Sequence, residues 1–197
     1  GRPTNWKAAD DDVEAWPRMV EIAWIVVDDN DEKLFSKRYI IKPDNYLIPI
    51  EVSNIHKITT EIAYSEGVEL EIVLDEFNRD LKNADLLIAH NIDFDYPILN
   101  CEFKRLNIQN NLSELSRFCT MKTNEVCLFC NLGRDGKKWP KLSELHLKLF
   151  GSKFENAHSA LVDAEATTRC FLELKKRGII SDDIFPGEVN NIEQPLY

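Results

Sequence analysis

The spacing of apolar residues changes once along the chain, and this change limits the folds that the sequence can adopt. Residues 19–27 and 34–41 carry β-branched and aromatic side chains at alternate positions, which predicts two strands joined by an Asp- and Asn-rich turn. Later segments have helical spacing instead, with apolar residues three and four positions apart over 68–81 and Ala160–Lys176. The sequence therefore predicts a strand hairpin followed by long helices.

Shorter segments separate these helices. The apolar run at 86–88 is typical of a strand buried on both faces, and 117–121 is consistent with another short strand. Leucines at helical spacing over 142–149 predict a helix that ends before a glycine. A hairpin followed by alternating helices and strands indicates an α/β domain, with a mixed sheet flanked by helices. We expect this domain to cover 1–180 and an acidic tail to cover 181–197.

The chain is acidic, with 24 Lys and Arg against 34 Asp and Glu residues and a formal net charge of −10. Bulk attraction to nucleic acid needs Lys and Arg, so any such substrate has to be held locally or through metal ions. No apolar run approaches the ~18 residues of a membrane span, and no signal peptide is visible. Five Cys residues without framework spacing are typical of reduced thiols in a cytoplasmic protein.

Two segments place a carboxylate near a histidine. Asp95 follows the predicted buried strand, where open α/β sheets place their sites, and Asp163 follows His158 at the start of the last helix. Both carboxylates are hard oxygen ligands suited to Mg²⁺ or Mn²⁺. A histidine can accept a proton from water near neutral pH, since its ordinary pKa is ~6.5. Paired metal ions and a general base together describe phosphodiester hydrolysis.

Each of these residues also allows a structural interpretation. Asp95 can be a helix N-cap ahead of Pro97, Asp163 an exposed helix charge, and His158 an ordinary loop histidine. The residues alone do not decide between the two interpretations.

A basic cluster surrounds Trp139. Lys137 and Lys138 precede it, and Arg134 and Lys141 flank them. Basic residues interleaved with an aromatic ring can hold single-stranded nucleic acid through its phosphates and a stacked base. The alternative is an ordinary basic loop with Trp139 packed inward.

Three motifs occur in a fixed order. His90-Asn91-Ile92-Asp93-Phe94-Asp95 has the form H-N-x-x-F-D, and the segment 157–164 has the form A-H-x-A-x-x-D-A. Ile55-His56-Lys57-Ile58-Thr59 resembles I-H-G-I-T, with Lys57 in place of Gly. On these motifs the chain, over roughly residues 16–178, resembles the DEDDh family of 3′→5′ exonucleases. This DnaQ-like group includes the proofreading epsilon subunit of bacterial DNA polymerase III.

The resemblance implies a ribonuclease-H-like fold and removal of nucleoside monophosphates from the 3′ end of single-stranded DNA or RNA, with DNA favoured. It implies that Asp95 and Asp163 bind two Mg²⁺ or Mn²⁺ ions and that His158 is the general base. A DNA polymerase is the protein partner that it suggests. The resemblance also assigns the pocket for the terminal nucleotides to three residues: Asn91, Phe94 and His56. Taken alone, Asn91 can brace a turn, and Phe94 and His56 can be structural.

The family's first motif, D-x-E-T-T-G, supplies two further metal ligands. The sequence begins at Gly1-Arg2-Pro3, which resembles the end of that motif and the loop after it. Asp10, Asp11 and Asp12 follow in a polar loop and are not expected to substitute. We therefore expect a polypeptide of residues 1–197 to be nearly inactive. The alternative function is a non-catalytic module that binds nucleic acid or a polymerase through an incomplete exonuclease site.

Overall fold

The computed structural model describes residues 1–152, 154 and 159–181. The strands are β1 (Glu21–Val27), β2 (Lys33–Ile40), β3 (Leu86–Ala89) and β4 (Ser116–Cys119). The α-helices are α1 (Ile50–His56), α2 (Thr60–Glu66), α3 (Leu70–Leu81), α4 (Ile92–Arg105), α5 (Asn124–Cys130), α6 (Leu142–Phe150) and α7 (Ala160–Lys176). Two compact units contain these elements, and the first comprises Gly1–Ala84, Asp93–Glu114 and 159–161. The other described residues form the second unit.

In the first unit, β1 and β2 form the predicted antiparallel hairpin. The carboxylate of Asp28 accepts the N–H groups of Asn30 at 3.0 Å and Glu32 at 2.8 Å. Asp31 has a left-handed backbone with φ of 64°. Asp and Asn tolerate this conformation and bond to nearby backbone, which explains why this segment forms the turn.

Helix α3 packs its apolar stripe toward the hairpin. The buried side chains are those that the helical spacing predicted: Leu70, Val73, Leu74, Phe77 and Leu81. Phe77 meets Trp24 of β1 edge to face, with ring centroids 5.2 Å apart. The indole N–H of Trp24 donates to Asp80 at 2.8 Å. Burial of each large apolar side chain stabilises the unit by about 1.5–3 kcal/mol.

The segment between the hairpin and α3 contains two short helices, α1 and α2, that the sequence analysis did not predict. Helix α1 is followed by Lys57, which has a left-handed φ of 65° and donates its N–H to the carbonyl oxygen of Ser53 at 2.7 Å. This is the position where the family motif has Gly, the residue that adopts positive φ without steric cost. A lysine there costs roughly 1–2 kcal/mol.

Helix α4 corrects one prediction. The N-cap interpretation of Asp95 puts Pro97 in the first turn of a helix, but α4 begins earlier, at Ile92. Asn91 adopts a left-handed φ of 78° and ends the turn after β3, so the helix starts directly behind it. Pro97 removes only its own N–H, which would otherwise bond to the carbonyl of Asp93. Asp95 therefore lies within the helix, and the N-cap interpretation is wrong.

Glu102 of α4 carries a carboxylate that is 0% exposed. Its Oε1 accepts the backbone N–H of Met19 at 2.7 Å and lies 3.1 Å from Nε of Arg18. Nη1 of Arg105 lies 3.2 Å from the same oxygen. Buried charges require partners of this kind, and this cluster ties α4 to the backbone just before β1.

In the second unit, β3 and β4 pair in parallel. All four residues of β3 are half-buried, so the strand is not buried on both faces as its apolar run had suggested. Helices α6 and α7 match their predicted bounds and are followed by Gly151 and Gly178, at φ 73° and 63°. The chain thus has the predicted α/β class, with one antiparallel and one parallel strand pair within the described residues.

The core of the second unit joins β4, α5, α6 and α7, and α5 is a helix that the sequence analysis missed. Its buried members are Phe118, Val126, Cys130, Leu145, Leu149, Cys170, Phe171, Leu174 and Ile180. All five cysteines of the chain are free and buried. Burial raises the pKa of the Cys130 thiol to about 11 and that of Cys170 to about 12, so both stay protonated at neutral pH.

None of the described helices is long and apolar enough to cross a membrane. Of the predicted acidic tail, residues 182–197 lie outside the described residues, and the domain boundary at 180 stays a prediction.

Candidate active site

The two predicted metal ligands both lie at the starts of helices. Asp95 is exposed in the first turn of α4 and belongs to the first unit. Asp163 is half-buried in the first turn of α7 and belongs to the second unit. The positive end of a helix dipole favours the ionised form of a carboxylate there. An ionised carboxylate at either position could bind a cation.

The donor chemistry of these two residues fits a hard divalent ion such as Mg²⁺, which prefers oxygen ligands. Two carboxylates leave most of a near-octahedral shell to other ligands. Within the described residues, no group of three or more His, Cys, Asp and Glu side chains is arranged to hold a metal ion.

Glu21 anchors the first turn of α7, and the sequence analysis missed it. Its side chain is 8% exposed, and its Oε2 accepts the backbone N–H of Ala160 at 3.0 Å. Oε1 accepts from Nε of Arg38 at 2.5 Å. A carboxylate within an otherwise apolar strand pattern was the available signal. Ala160 is the first residue of α7, so Glu21 satisfies one of the backbone N–H groups that the start of a helix leaves unpaired.

The predicted general base, His158, lies outside the described residues. Its role stays a prediction from the family motif.

His56 has one ring nitrogen that is hydrogen-bonded and one that is not. Its Nδ1 accepts the backbone N–H of Ile58 at 3.1 Å, whereas its buried Nε2 has no hydrogen-bond partner among the described residues. Burial lowers the pKa of His56. The ring is therefore neutral at pH 7, and its Nε2–H is an unused donor of the kind that calls for an explanation in a folded protein.

His90, the first residue of the H-N-x-x-F-D motif, is a structural anchor of the second unit. Its Nε2 lies 3.1 Å from the carbonyl oxygen of Pro140, and its Nδ1 lies 3.0 Å from Oγ1 of Thr120. A carbonyl oxygen only accepts, so the proton is on Nε2. Burial lowers the pKa of His90 to about 4. The neutral ring thus ties the end of β3 to the residue before Lys141 and α6.

The low pKa of His90 predicts an acid-sensitive fold. The unfolded chain binds a proton at this site below pH ~6.5, and the folded chain binds it only near pH 4, so stability falls as the pH drops between these values. At pH 5 the loss is about 2 kcal/mol, at ~1.4 kcal/mol per pH unit. Urea unfolding at pH 7 and pH 5 measures it.

The matched control is His90→Gln, which lacks this titration but keeps every other ionisable group, including His56. We expect the variant to lose about 2 kcal/mol less than the native chain between the two pH values. Equal losses in both proteins would show that His90 does not control the acid response.

Asn91 has the backbone conformation that its structural interpretation requires, because its φ of 78° suits the turn between β3 and α4. Phe94 is half-buried in α4 and packs beside a small cluster that includes Ala15, Trp16 and Cys101. A nucleotide contact by either residue stays a prediction.

Two members of the basic cluster around Trp139 already interact with other side chains of the protein. Nζ of Lys138 forms an ion pair with Oε1 of Glu144 at 2.7 Å. Trp139 is half-buried, and Nζ of Lys122 lies 4.6 Å from its ring centroid. Lys137 is exposed. Phosphate binding by Lys138 would compete with Glu144, and base stacking on Trp139 would compete with Lys122.

A sequence model of the exonuclease family RNase_T matches residues 10–171 of the chain. This range includes Asp95, His158 and Asp163, together with all three motifs. The chain therefore belongs to this exonuclease family. No curated protein sequence matches it.

Solved structures of exonuclease I share the fold. Escherichia coli exonuclease I in complex with a dT13 oligonucleotide aligns with a TM-score of 0.68 at 22% identity, over 87% of this chain and 39% of that chain. The same enzyme with a dA16 oligonucleotide gives 0.66 at 22% identity, over 80% and 37%. A moderately thermophilic exonuclease I from Methylocaldum szegediense gives 0.65 at 19% identity, over 89% and 39%. The chain thus spans less than two fifths of the length of these proteins.

Proposed function

We propose that the chain is the catalytic domain of a metal-dependent 3′→5′ exonuclease that acts on single-stranded nucleic acid, with DNA favoured over RNA. The observation that carries the proposal is the family match, which covers both Asp95 and Asp163. The oligonucleotides bound to the similar E. coli exonuclease I support a single-stranded DNA substrate. A DNA polymerase is the protein partner we propose, from the resemblance to proofreading subunits alone.

In this proposal Asp95 and Asp163 hold divalent ions, either Mg²⁺ or Mn²⁺, together with a D-x-E pair. Bound ions would stabilise the negative charge that develops on the phosphate and the leaving oxygen. His158 accepts a proton from the water that attacks the terminal phosphorus. The bond from phosphorus to the 3′ oxygen breaks, and this oxygen takes a proton from solvent water, which gives a nucleoside 5′-monophosphate and a shortened strand with a 3′-hydroxyl.

The remaining residues hold the strand. His56 has an unused, buried Nε2–H that can donate to the terminal nucleotide. We assign neighbouring contacts to Asn91 and Phe94. Lys137 is exposed and can bind a phosphate farther along the strand. Lys138 binds a phosphate when it leaves its ion pair with Glu144, and Trp139 stacks on a base when Lys122 leaves its ring.

The test compares two proteins. One is residues 1–197, and the other, here called the completed protein, has a strand bearing D-x-E-T-T added before Gly1. Each is incubated with single-stranded oligonucleotides labelled at the 5′ or the 3′ end, in Mg²⁺ or in EDTA. We expect the completed protein to release the 3′-terminal label first, as a mononucleotide and only with Mg²⁺. Residues 1–197, in which we assign only Asp95 and Asp163 as metal ligands, should be nearly inactive.

Release from the 5′ end, or equal activity in EDTA, would contradict the proposal. Tight binding of the oligonucleotide by the completed protein without any hydrolysis would favour the non-catalytic binding module instead. Full activity of residues 1–197 would mean that other residues hold the metal ions.

A further inference from the structure

Trp6 is exposed, whereas the other three tryptophans of the chain are buried or half-buried. It is 56% exposed, whereas Trp16 is 4% exposed, Trp24 is 9% exposed and Trp139 is half-buried. A large apolar ring held in water gains little of the stabilisation that burial gives. Its exposed face can contact another flat ring, since aromatic rings attract one another in offset-stacked arrangements.

Two aromatic contacts hold the Trp6 ring in place. Trp16 meets it edge to face, with ring centroids 6.2 Å apart and planes at 85°. Phe94 lies on another side, with centroids 5.8 Å apart and planes at 36°. Trp16 is itself fixed, because its indole N–H donates to the carbonyl of Ala9 at 3.0 Å. Trp6 and Phe94 therefore form an aromatic pair that is packed on one side and open on the other.

The loop that carries Trp6 is fastened to helix α4 by hydrogen bonds. Asn100 donates to the carbonyl of Asp10 at 3.2 Å, and Nζ of Lys104 donates to the carboxylate of Asp11 at 2.8 Å. Nη2 of Arg105 donates to the carbonyl of Trp16 at 2.8 Å. The aromatic pair is thus organised before any ligand binds, although half of it lies in a loop.

We propose that Trp6 and Phe94 form a stacking platform for a base at the 3′ end of the substrate strand. The proposal rests on the proposed function and adds Trp6 to the residues that bind the strand. In the sequence of α4, Phe94 directly precedes Asp95, which is a proposed metal ligand. The exposed Lys7 follows Trp6 and supplies a cation for a neighbouring phosphate.

The surroundings of Trp6 favour a nucleobase over a protein partner. Its sequence neighbours, Asn5 and Lys7, are polar and exposed, so polar groups border the exposed ring along the chain. The core of a protein interface is wider and depleted of charge. One flat ring bordered by polar groups fits one flat base, and stacking accepts every base because each has a π-face.

The experiment measures binding of a fluorescently labelled single-stranded oligonucleotide to residues 1–197 in EDTA, so that hydrolysis cannot interfere. We expect Trp6→Ala to weaken binding roughly 5- to 150-fold, the range that loss of one stacked base gives. Trp6→Phe should retain most of the affinity, and Trp6→Leu should not, because leucine keeps apolar bulk without a π-face. Tyr64→Ala is the matched control, since Tyr64 is an exposed aromatic residue of the same unit at 47% exposure.

A second set of oligonucleotides identifies the stacked base. Each carries an abasic nucleotide at one of the last three 3′ positions. At the position that stacks on Trp6, removal of the base should weaken binding to the native chain and abolish the difference between the native chain and Trp6→Ala. If Trp6→Ala binds every oligonucleotide like the native chain, or if no abasic position removes the difference, the platform is wrong while strand binding stands. Failure of the native chain to bind any strand would overturn both this inference and the proposed substrate.

Discussion

Asp163→Asn in the completed protein is expected to reduce Mg²⁺-dependent release of nucleotides by at least ~10²–10³-fold, the loss that follows removal of one group that stabilises transition-state charge. An amide keeps the size of the side chain but removes the charge that holds a divalent cation. Asp163 is half-buried in the first turn of α7, and an amide of nearly the same size should leave the helix in place. Single-turnover kinetics measures the loss of nucleotide release, and circular dichroism shows whether the helix content is unchanged.

Glu165→Gln is the matched control, because it also neutralises a carboxylate in α7, and Glu165 is exposed. We expect its activity to stay within about twofold of the native value, the scale of a surface charge change. Asp95→Asn and Asp93→Asn form a second matched pair, since both positions are exposed in the first turn of α4. Only Asp95→Asn should inactivate the enzyme. Equal effects of the two members of either pair would mean that general charge, and not metal binding, explains the loss.

Glu102→Ala is expected to have the largest effect on stability, about 3–5 kcal/mol. Its carboxylate is fully buried and meets Arg18, Arg105 and the backbone N–H of Met19. Removal of the carboxylate leaves an unpaired backbone donor and takes the counter-charge from Arg18 and Arg105, whose side chains are 31% and 15% exposed. Urea unfolding gives the free energy directly.

Two further variants guard against a protein that simply fails to fold. Glu102→Gln keeps an acceptor for Met19 and should lose less stability than Glu102→Ala. Glu71→Ala removes an exposed glutamate of α3 and should change stability by no more than about 0.5 kcal/mol. A loss below about 1 kcal/mol in Glu102→Ala would show that the cluster with Arg18 and Arg105 contributes little to stability.

The parts of the fold that the sequence predicted are those with a long, regular pattern. The stripe of α3 repeats over three turns, and each apolar position in it is buried. Helix α7 begins and ends where the pattern and Gly178 indicate. In both cases local spacing alone decides which face is buried, so no knowledge of distant partners is required.

The parts that it missed depend on short segments or distant contacts. Helices α1, α2 and α5 have seven residues each, too few for a helical period to stand out. The start of α4 was placed too late because Pro97 suggested a boundary, whereas the left-handed turn at Asn91 sets it. Glu21 accepts a hydrogen bond from Ala160, and Trp6 packs against Phe94; both partners are distant in the sequence. No local pattern reports such contacts.

The candidate site follows the same division. The motifs identified Asp95 and Asp163, and the structure adds that both lie in first turns of helices. The unused Nε2 of His56 and the ion pair of Lys138 with Glu144 are properties of three-dimensional packing. They could not be read from residue types alone.

The most direct test of the central proposal is the position of Mn²⁺ in crystals of the completed protein grown with a nucleoside monophosphate. Anomalous scattering locates the ion without reference to activity. We predict anomalous peaks within about 2.1 Å of a carboxylate oxygen of Asp95 and of a carboxylate oxygen of Asp163, the bond length of Mg²⁺-type sites. A peak bound by other residues, with neither aspartate in its coordination shell, would contradict the assignment of these two residues as the metal ligands of the exonuclease.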